Sequence, residues 1–97
     1  PRLAQVAAIE AQLSRDLAPA REIRGVRDVR VKGAIGVIEV ERISDLDGMK
    51  RRFVEEGVFI RPFGRIVYTT PPLVIGEEDL ARLTAAMLKV TAEFAPH

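Results

Sequence analysis

Between Pro19 and Val26 the apolar residues of this chain change period, and that change restricts the fold more than any other feature. Before it, Leu3, Val6, Ile9, Leu13 and Leu17 recur at three- and four-residue steps, which places them on one stripe of a helix that Pro19 ends. After it the step is two: Val29 and Val31 face one side of a half-buried strand, while Asp28, Arg30 and Lys32 face the other. A chain that passes from a helical period to a strand period, and later back again, belongs to the α+β class, with the sheet and the helices as packed layers.

The later segments extend this pattern. Gly33-Ala-Ile-Gly-Val-Ile-Glu-Val40 is apolar on both faces up to Glu39, as a more central strand is, and its two glycines indicate a turn and a close backbone approach. The two strands read as a hairpin bent near Lys32 and Gly33. Ser44 followed by Asp47 resembles a capping box with the shorter acid, after which Leu46, Met49 and Phe53 keep helical spacing as far as Gly57. Val58 to Arg61 and Arg65 to Thr70 form two further strands joined through Pro62-Phe63-Gly64; Pro71 and Pro72 stop the pairing, since neither can donate to a ladder. Glu77, Glu78 and Asp79 occupy the first turn of a last helix, where negative charge complements the dipole, and Leu80, Leu83, Met87, Val90 and Phe94 form its buried stripe.

The expected order is therefore α-β-β-α-β-β-α, a small antiparallel sheet of about four strands with helices mainly on one face. Residues 1–97 are expected to form a single domain. The first helical pattern opens without a capping residue before it, as expected of a piece taken from a longer chain.

Composition narrows the function classes. With 47% hydrophobic and 30% charged residues the chain is of the soluble globular type, and no apolar run approaches the roughly 18 residues of a membrane-spanning helix. There is no cysteine for a disulfide framework or a thiolate metal site, and no apolar leader segment, so a cytoplasmic setting is expected. Only Lys32, Lys50 and Lys89 of the fifteen cationic residues are lysine, but the net charge of +1 gives little whole-molecule attraction for nucleic acid. The single histidine is His97 at the terminus, and no metal is expected. Without a cysteine or an internal histidine, Ser14 and Ser44 have no base with which to build a hydrolytic triad.

Arg61 is the candidate for function. It stands between an apolar strand and a proline, where a rigid element can hold the planar guanidinium fork toward a carboxylate in a fixed direction. The ordinary alternative is a strand-end arginine that leans its stem over apolar neighbours and keeps its head in water. Tyr68 reads most simply as a strand aromatic with an exposed hydroxyl, and Phe63, in a turn, as a lid on the core or a residue that meets a partner surface. Arg51 and Arg52 fall on the polar side of a short helix, as a solvated face. Gly33-x-x-Gly36 has the spacing of the phosphate-clamping KH loop; that loop joins two helices, whereas these glycines interrupt strand sequence, which favours packing. This pair and a pI near 8.8 still leave a second class of function, a stand-alone α+β module that binds RNA or a regulatory metabolite.

Three segments carry a resemblance that covers nearly the whole chain: Val26-Arg-Asp-Val-Arg-Val-Lys-Gly-Ala-Ile-Gly-Val-Ile-Glu39, Gly57-Val-Phe-Ile-Arg-Pro-Phe-Gly-Arg-Ile-Val-Tyr68 and Pro71-Pro-Leu-Val-Ile75. In this order they resemble the C-terminal region of the adenosylmethionine-8-amino-7-oxononanoate aminotransferase (diaminopelargonic acid synthase) family. That family belongs to the class III, fold-type I pyridoxal-phosphate aminotransferases. The Pro-Pro-Leu-Val-Ile and Gly-x-x-Gly-Val-Ile-Glu elements are shared across class III, so the same domain of another class III aminotransferase is a further alternative. Ile-Arg-Pro-Phe-Gly followed by Val-Tyr narrows the resemblance to the biotin-pathway enzymes.

The resemblance implies the C-terminal small domain of a cytoplasmic, homodimeric transferase of biotin biosynthesis. That enzyme moves an amino group from S-adenosyl-L-methionine to 8-amino-7-oxononanoate, giving 7,8-diaminononanoate. It places the substrate carboxylate on Arg61 and puts Tyr68 and Phe63 near the pocket. It also implies pyridoxal 5'-phosphate in the full-length enzyme, with its Schiff-base lysine, pyridinium acid and phosphate cradle on a large domain absent from this chain. None of Lys32, Lys50 and Lys89 has a setting like that of the cofactor lysine. No catalytic or cofactor-binding residue is assigned to these 97 residues, and alone they are expected to be inactive.

Overall fold

The sheet is built of two hairpins laid side by side. Strand β1 (Val26–Lys32) turns at residues 33–34 into β2 (Ile35–Val40), and β3 (Arg61–Phe63) turns at residues 64–65 into β4 (Ile66–Thr69). All neighbours are antiparallel, in the order β1-β2-β4-β3, so β2 is interior as its apolar sequence requires. Helix α1 (Arg2–Leu17) precedes the first hairpin, α2 (Leu46–Glu55) separates the two, and α3 (Glu77–Phe94) follows the second. The structure is a computed structural model that describes residues 2–58 and 60–95; Phe59 of the expected third strand, and His97, lie outside these.

The register sorts the side chains into cross-strand rows. Val29, Ile38, Val67 and Pro62 stand opposite one another and all are buried, so this row faces the helices. Arg30, Val37, Tyr68 and Arg61 form the next row and point to the opposite face, where none is buried. The core thus lies under one face only. There α1 packs on β1 and β2, α2 packs on β3, and α3 packs against both other helices. Ile9, Leu13, Leu17, Met49, Phe53, Leu80, Met87 and Val90 fill it with Ile38, Val40 and Val67. Each such side chain contributes roughly 1.5–3 kcal/mol by leaving water.

Gly36 explains why α1 can approach so closely. A Cβ placed there would lie 2.8 Å from Leu17 Cδ1 and 3.4 Å from Leu13 Cδ2, both on fully buried side chains. The bare backbone of the central strand is therefore the seat for the last two turns of α1. Gly33, its partner in the Gly-x-x-Gly spacing, forms the β1–β2 turn, and its N–H donates to Glu10 Oε2 at 3.0 Å. Both glycines are thereby used within the fold.

Several local expectations need correction. Leu3 is 84% exposed, so the buried stripe of α1 begins at Ile9; Gln12 joins it, donating to the Glu77 carbonyl and to Asp16. Pro19 ends the α-helix but the chain stays coiled, as a 3-10 helix over Ala18–Glu22. The cap of α2 is Asp45, whose carboxylate accepts from Gly48 N at 3.0 Å; Ser44 instead donates to the Phe94 carbonyl, tying the start of α2 to the end of α3. The third strand begins at Arg61, where it was expected to end. Pro62 and Phe63 lie inside it, and the turn is confined to residues 64–65. Pro62 is accommodated because β3 is an edge strand.

Arg52 also departs from the solvated reading. Its guanidinium forks onto Glu93 of α3, Nε to Oε1 at 2.8 Å and Nη2 to Oε2 at 3.0 Å, and also reaches Glu55 and Glu56. Lys89 Nζ completes the cluster at 3.2 Å from Glu56. Lys89 and then Arg52 hold the Glu56 carboxyl below the usual glutamate range, and Arg52 does the same for Glu93. A carboxyl whose folded-state pKa is lowered contributes stability that is present above its unfolded pKa and lost as pH falls through the folded one. The thermal midpoint is therefore expected to drop on acidification through that range, and Arg52→Ala to make the drop shallower; identical pH profiles for both proteins would refute the contribution.

Candidate functional site

The open face of the sheet brings two of the three candidate residues together. Arg61 opens β3 and Tyr68 lies directly across from it in β4, so their Cβ atoms are about 5 Å apart, as for any opposed pair. Both line a pocket of about 240 Å³ completed by Thr69, Thr70, Pro71, Pro72 and Leu83. Arg61 also borders a second, largely apolar hollow of about 460 Å³, lined by Lys50, Phe53, Val54, Gly57, Val58 and Ile60. Its place between them follows from sequence: β3 starts as the chain leaves α2, and Pro71-Pro72 turns the neighbouring strand away just past Tyr68.

Phe63 is elsewhere. It is two residues along the same edge, opposite Ile66, 71% exposed, and outside the Arg61 pocket. It lies on the same open face as Arg61, in the row that continues through Ile66 and Glu39 to Asp28. Thr69 and Thr70 are not among the candidate site residues of the sequence, and Leu83 is expected there only as part of the buried stripe of α3. Thr69 is buried on the core side of β4 and Thr70 is exposed just past its end, before the two prolines. Leu83 is contributed by α3 and has no local signal.

The electrostatics separate the two ends of the Arg30–Val37–Tyr68–Arg61 row. Arg30 Nη1 lies 2.7 Å from Glu39 Oε1 and 2.9 Å from Asp28 Oδ2, so its charge is answered. The hydrogen bond from Arg30, aided by the Val29 backbone, holds the Asp28 carboxyl below the usual aspartate range. Arg61 is exposed and makes no hydrogen bond or ion pair among the described residues. An exposed guanidinium with no acceptor among the described residues, at the start of a strand and beside a phenol, can bind an incoming carboxylate in the bidentate manner. Among the described residues no group of three or more His, Cys, Asp or Glu side chains could hold a metal ion. No helix among them is long and apolar enough to cross a membrane.

Residues 2–91 match the model of the family described as aminotransferase class-III. The chain belongs to the class III aminotransferases. This aminotransferase chain is 43% identical over 83 residues to the adenosylmethionine-8-amino-7-oxononanoate aminotransferase of Corynebacterium glutamicum; the match covers 86% of the chain and 20% of that enzyme. The yeast enzyme of the same name, from Saccharomyces cerevisiae, is 35% identical over 100 residues, covering 96% of the chain and 21% of its relative. The crystal structure of the Methanocaldococcus jannaschii enzyme of that name superposes with a TM-score of 0.78 at 22% identity, covering 96% of the chain and 24% of the other. At that identity the superposition speaks for the fold. The class III chain spans about a fifth of the length of the curated relatives it matches.

The family implies pyridoxal 5'-phosphate, and the described residues do not fit that group. Lys32, Lys50 and Lys89 are all exposed, and Lys89 is ion-paired with Glu56. A Schiff-base lysine needs a partly desolvated pocket and an acid for the pyridinium nitrogen, and none of the three has this setting.

Proposed function

We propose that the chain is the C-terminal, substrate-side small domain of a biotin-pathway aminotransferase. In this reading Arg61 holds the carboxylate of 8-amino-7-oxononanoate while S-adenosyl-L-methionine supplies the amino group, and 7,8-diaminononanoate is the product. The single observation that carries it is Arg61 itself, exposed and without a counter-ion among the described residues, on a pocket wall beside Tyr68. The names of the curated relatives supply the reaction. An anchored carboxylate fixes the far end of the acceptor, so that its carbonyl is presented in a reactive orientation.

The same reading places cofactor, donor recognition and catalytic groups outside the described residues, on a large pyridoxal-phosphate domain. It also makes the working enzyme a cytoplasmic homodimer. Tyr68 is assigned to the pocket with Arg61, and Phe63 to the rim of the open face. The RNA-binding alternative loses its main support, because Gly33 and Gly36 are engaged in a turn and in the seat of α1.

The test is a chimaera of the Corynebacterium glutamicum relative in which this chain replaces the matching region. It is expected to aminate 8-amino-7-oxononanoate with S-adenosyl-L-methionine as donor. A folded chimaera that takes up pyridoxal phosphate but aminates only other acceptors would assign the chain to a different class III enzyme.

A further inference from the structure

Arg61 sits on the weakest strand of the sheet. β3 has three residues, is paired on one side only, and has at its centre a proline without an N–H. Such a strand does not fix a guanidinium by its own ladder. A second constraint must come from the chain that leads into it.

That chain leaves α2 at Glu55 and passes through Gly57, whose φ of +76° is in the left-handed region. The Val58 N–H is then tied back to the Phe53 carbonyl at 3.2 Å, and Ile60 is buried just before Arg61. The last turn of α2 thus sets where β3 begins. This turn is tied to α3 by the Arg52 fork on Glu93, with Glu56 and Lys89 closing the cluster. α3 in turn is eighteen residues long and rooted by Leu80, Met87 and Val90.

Most surface ion pairs contribute little, but bidentate geometry within a network is the recognised exception. The Arg52 side chain is 24% exposed and meets three carboxylates. Arg52 lies on α2, which packs on the Arg61 strand, and Glu93 lies on α3, which packs on α2.

We infer that the Arg52–Glu93 fork is a positioning element for Arg61: it locks the end of α2 to α3, so that the carboxylate-binding guanidinium is held at a fixed place and angle. This rests on the carboxylate-binding reading of Arg61. Arg52 touches no substrate in this scheme; it acts through the end of α2, the Val58 tie to Phe53 and the buried Ile60. Lysine at position 52 would keep the charge and lose the fork, so charge and geometry can be separated.

The experiment uses the chimaera with Arg52→Lys and, independently, Glu93→Gln, each alone and combined with Arg61→Ala. Either single change is expected to raise KM for the keto acid roughly 3- to 30-fold, leaving kcat and the KM for the amino donor within about twofold. In the Arg61→Ala background the same changes are expected to have no further effect on that KM, because the group they position is gone. Effects that add to Arg61→Ala, or that fall equally on both substrates, would reduce the fork to a general stabiliser and overturn the inference. If Arg61→Ala alone leaves the keto-acid kinetics unchanged, the carboxylate reading fails first. An effective Arg61→Ala with silent Arg52→Lys and Glu93→Gln removes the positioning role alone.

Discussion

Phe53→Ala is expected to cost about 3–5 kcal/mol of folding stability, the range for removing a buried aromatic ring. Phe53 is 1% exposed and heads the fully buried side chains by volume. It stands on α2 at the point where three parts of the molecule meet: its ring joins the core, its carbonyl accepts from Val58, and its helix packs on β3. A chain of this size has a total stability of roughly 5–15 kcal/mol, so the substitution removes a large fraction of it. For domains of 60–100 residues each kcal/mol shifts the thermal midpoint by about 4–8 °C, and a fall of more than about 12 °C is expected. Phe53→Leu keeps most of the apolar volume and is expected to lose less than half as much. Urea unfolding of the three proteins measures this directly. A loss under about 1 kcal/mol for the alanine variant would mean that the α2 side of the core is loosely packed. The Arg52 fork would then have no firm base to lock.

The long-range plan of the fold was legible because it rests on periods that each segment carries by itself. The apolar run of β2 marks a central strand, the alternation of β1 an outer one, and the two-glycine spacing marks a turn followed by a close approach. What failed was decided by backbone angles or by distant partners. Asp45 and Ser44 are equally good caps by type; only the path of the chain puts the Asp45 carboxylate within reach of Gly48 N. Pro62 reads as a breaker until its strand is known to be an edge, and edge position is a property of the whole sheet. Arg52 meets Glu93 forty-one residues away, which no helical spacing rule can reveal.

The site was legible in the same uneven way. Arg61 and Tyr68 were named separately, and the register of the second hairpin puts them opposite each other. That Arg61 meets no carboxylate among the described residues could not be read from the sequence, since it depends on where the sheet puts the acids: Asp28 and Glu39 stand beside Arg30 on β1 and β2, neither of which neighbours β3. Leu83 comes to the pocket from α3, across the Pro71-Pro72 turn. Composition supplies the carboxylate chemistry of an arginine, and the sheet register supplies its availability.

Arg61→Ala, made in the chimaera, is expected to lower kcat/KM for 8-amino-7-oxononanoate by about 2–4 kcal/mol, the worth of a charge-assisted bidentate contact. That corresponds to roughly 30- to 1,000-fold in rate at low substrate. The loss is expected mainly in KM if the carboxylate is held equally in ground and transition states. It extends to kcat if the anchor also aligns the reacting carbonyl. Arg61→Lys keeps the charge but not the planar fork, so an intermediate loss is expected, with a wider spread of substrate orientations. A second arm separates binding from bystander effects: the acceptor's carboxylate is replaced by its uncharged amide. The native arginine is expected to discriminate against the amide by the same factor that Arg61→Ala loses on the acid, and the alanine variant to treat acid and amide nearly alike. The amino-donor half-reaction serves as the internal control and is expected to be unaffected. Unchanged KM and kcat/KM for the keto acid in Arg61→Ala would return this residue to the solvated strand-end arginine that its sequence position alone allows.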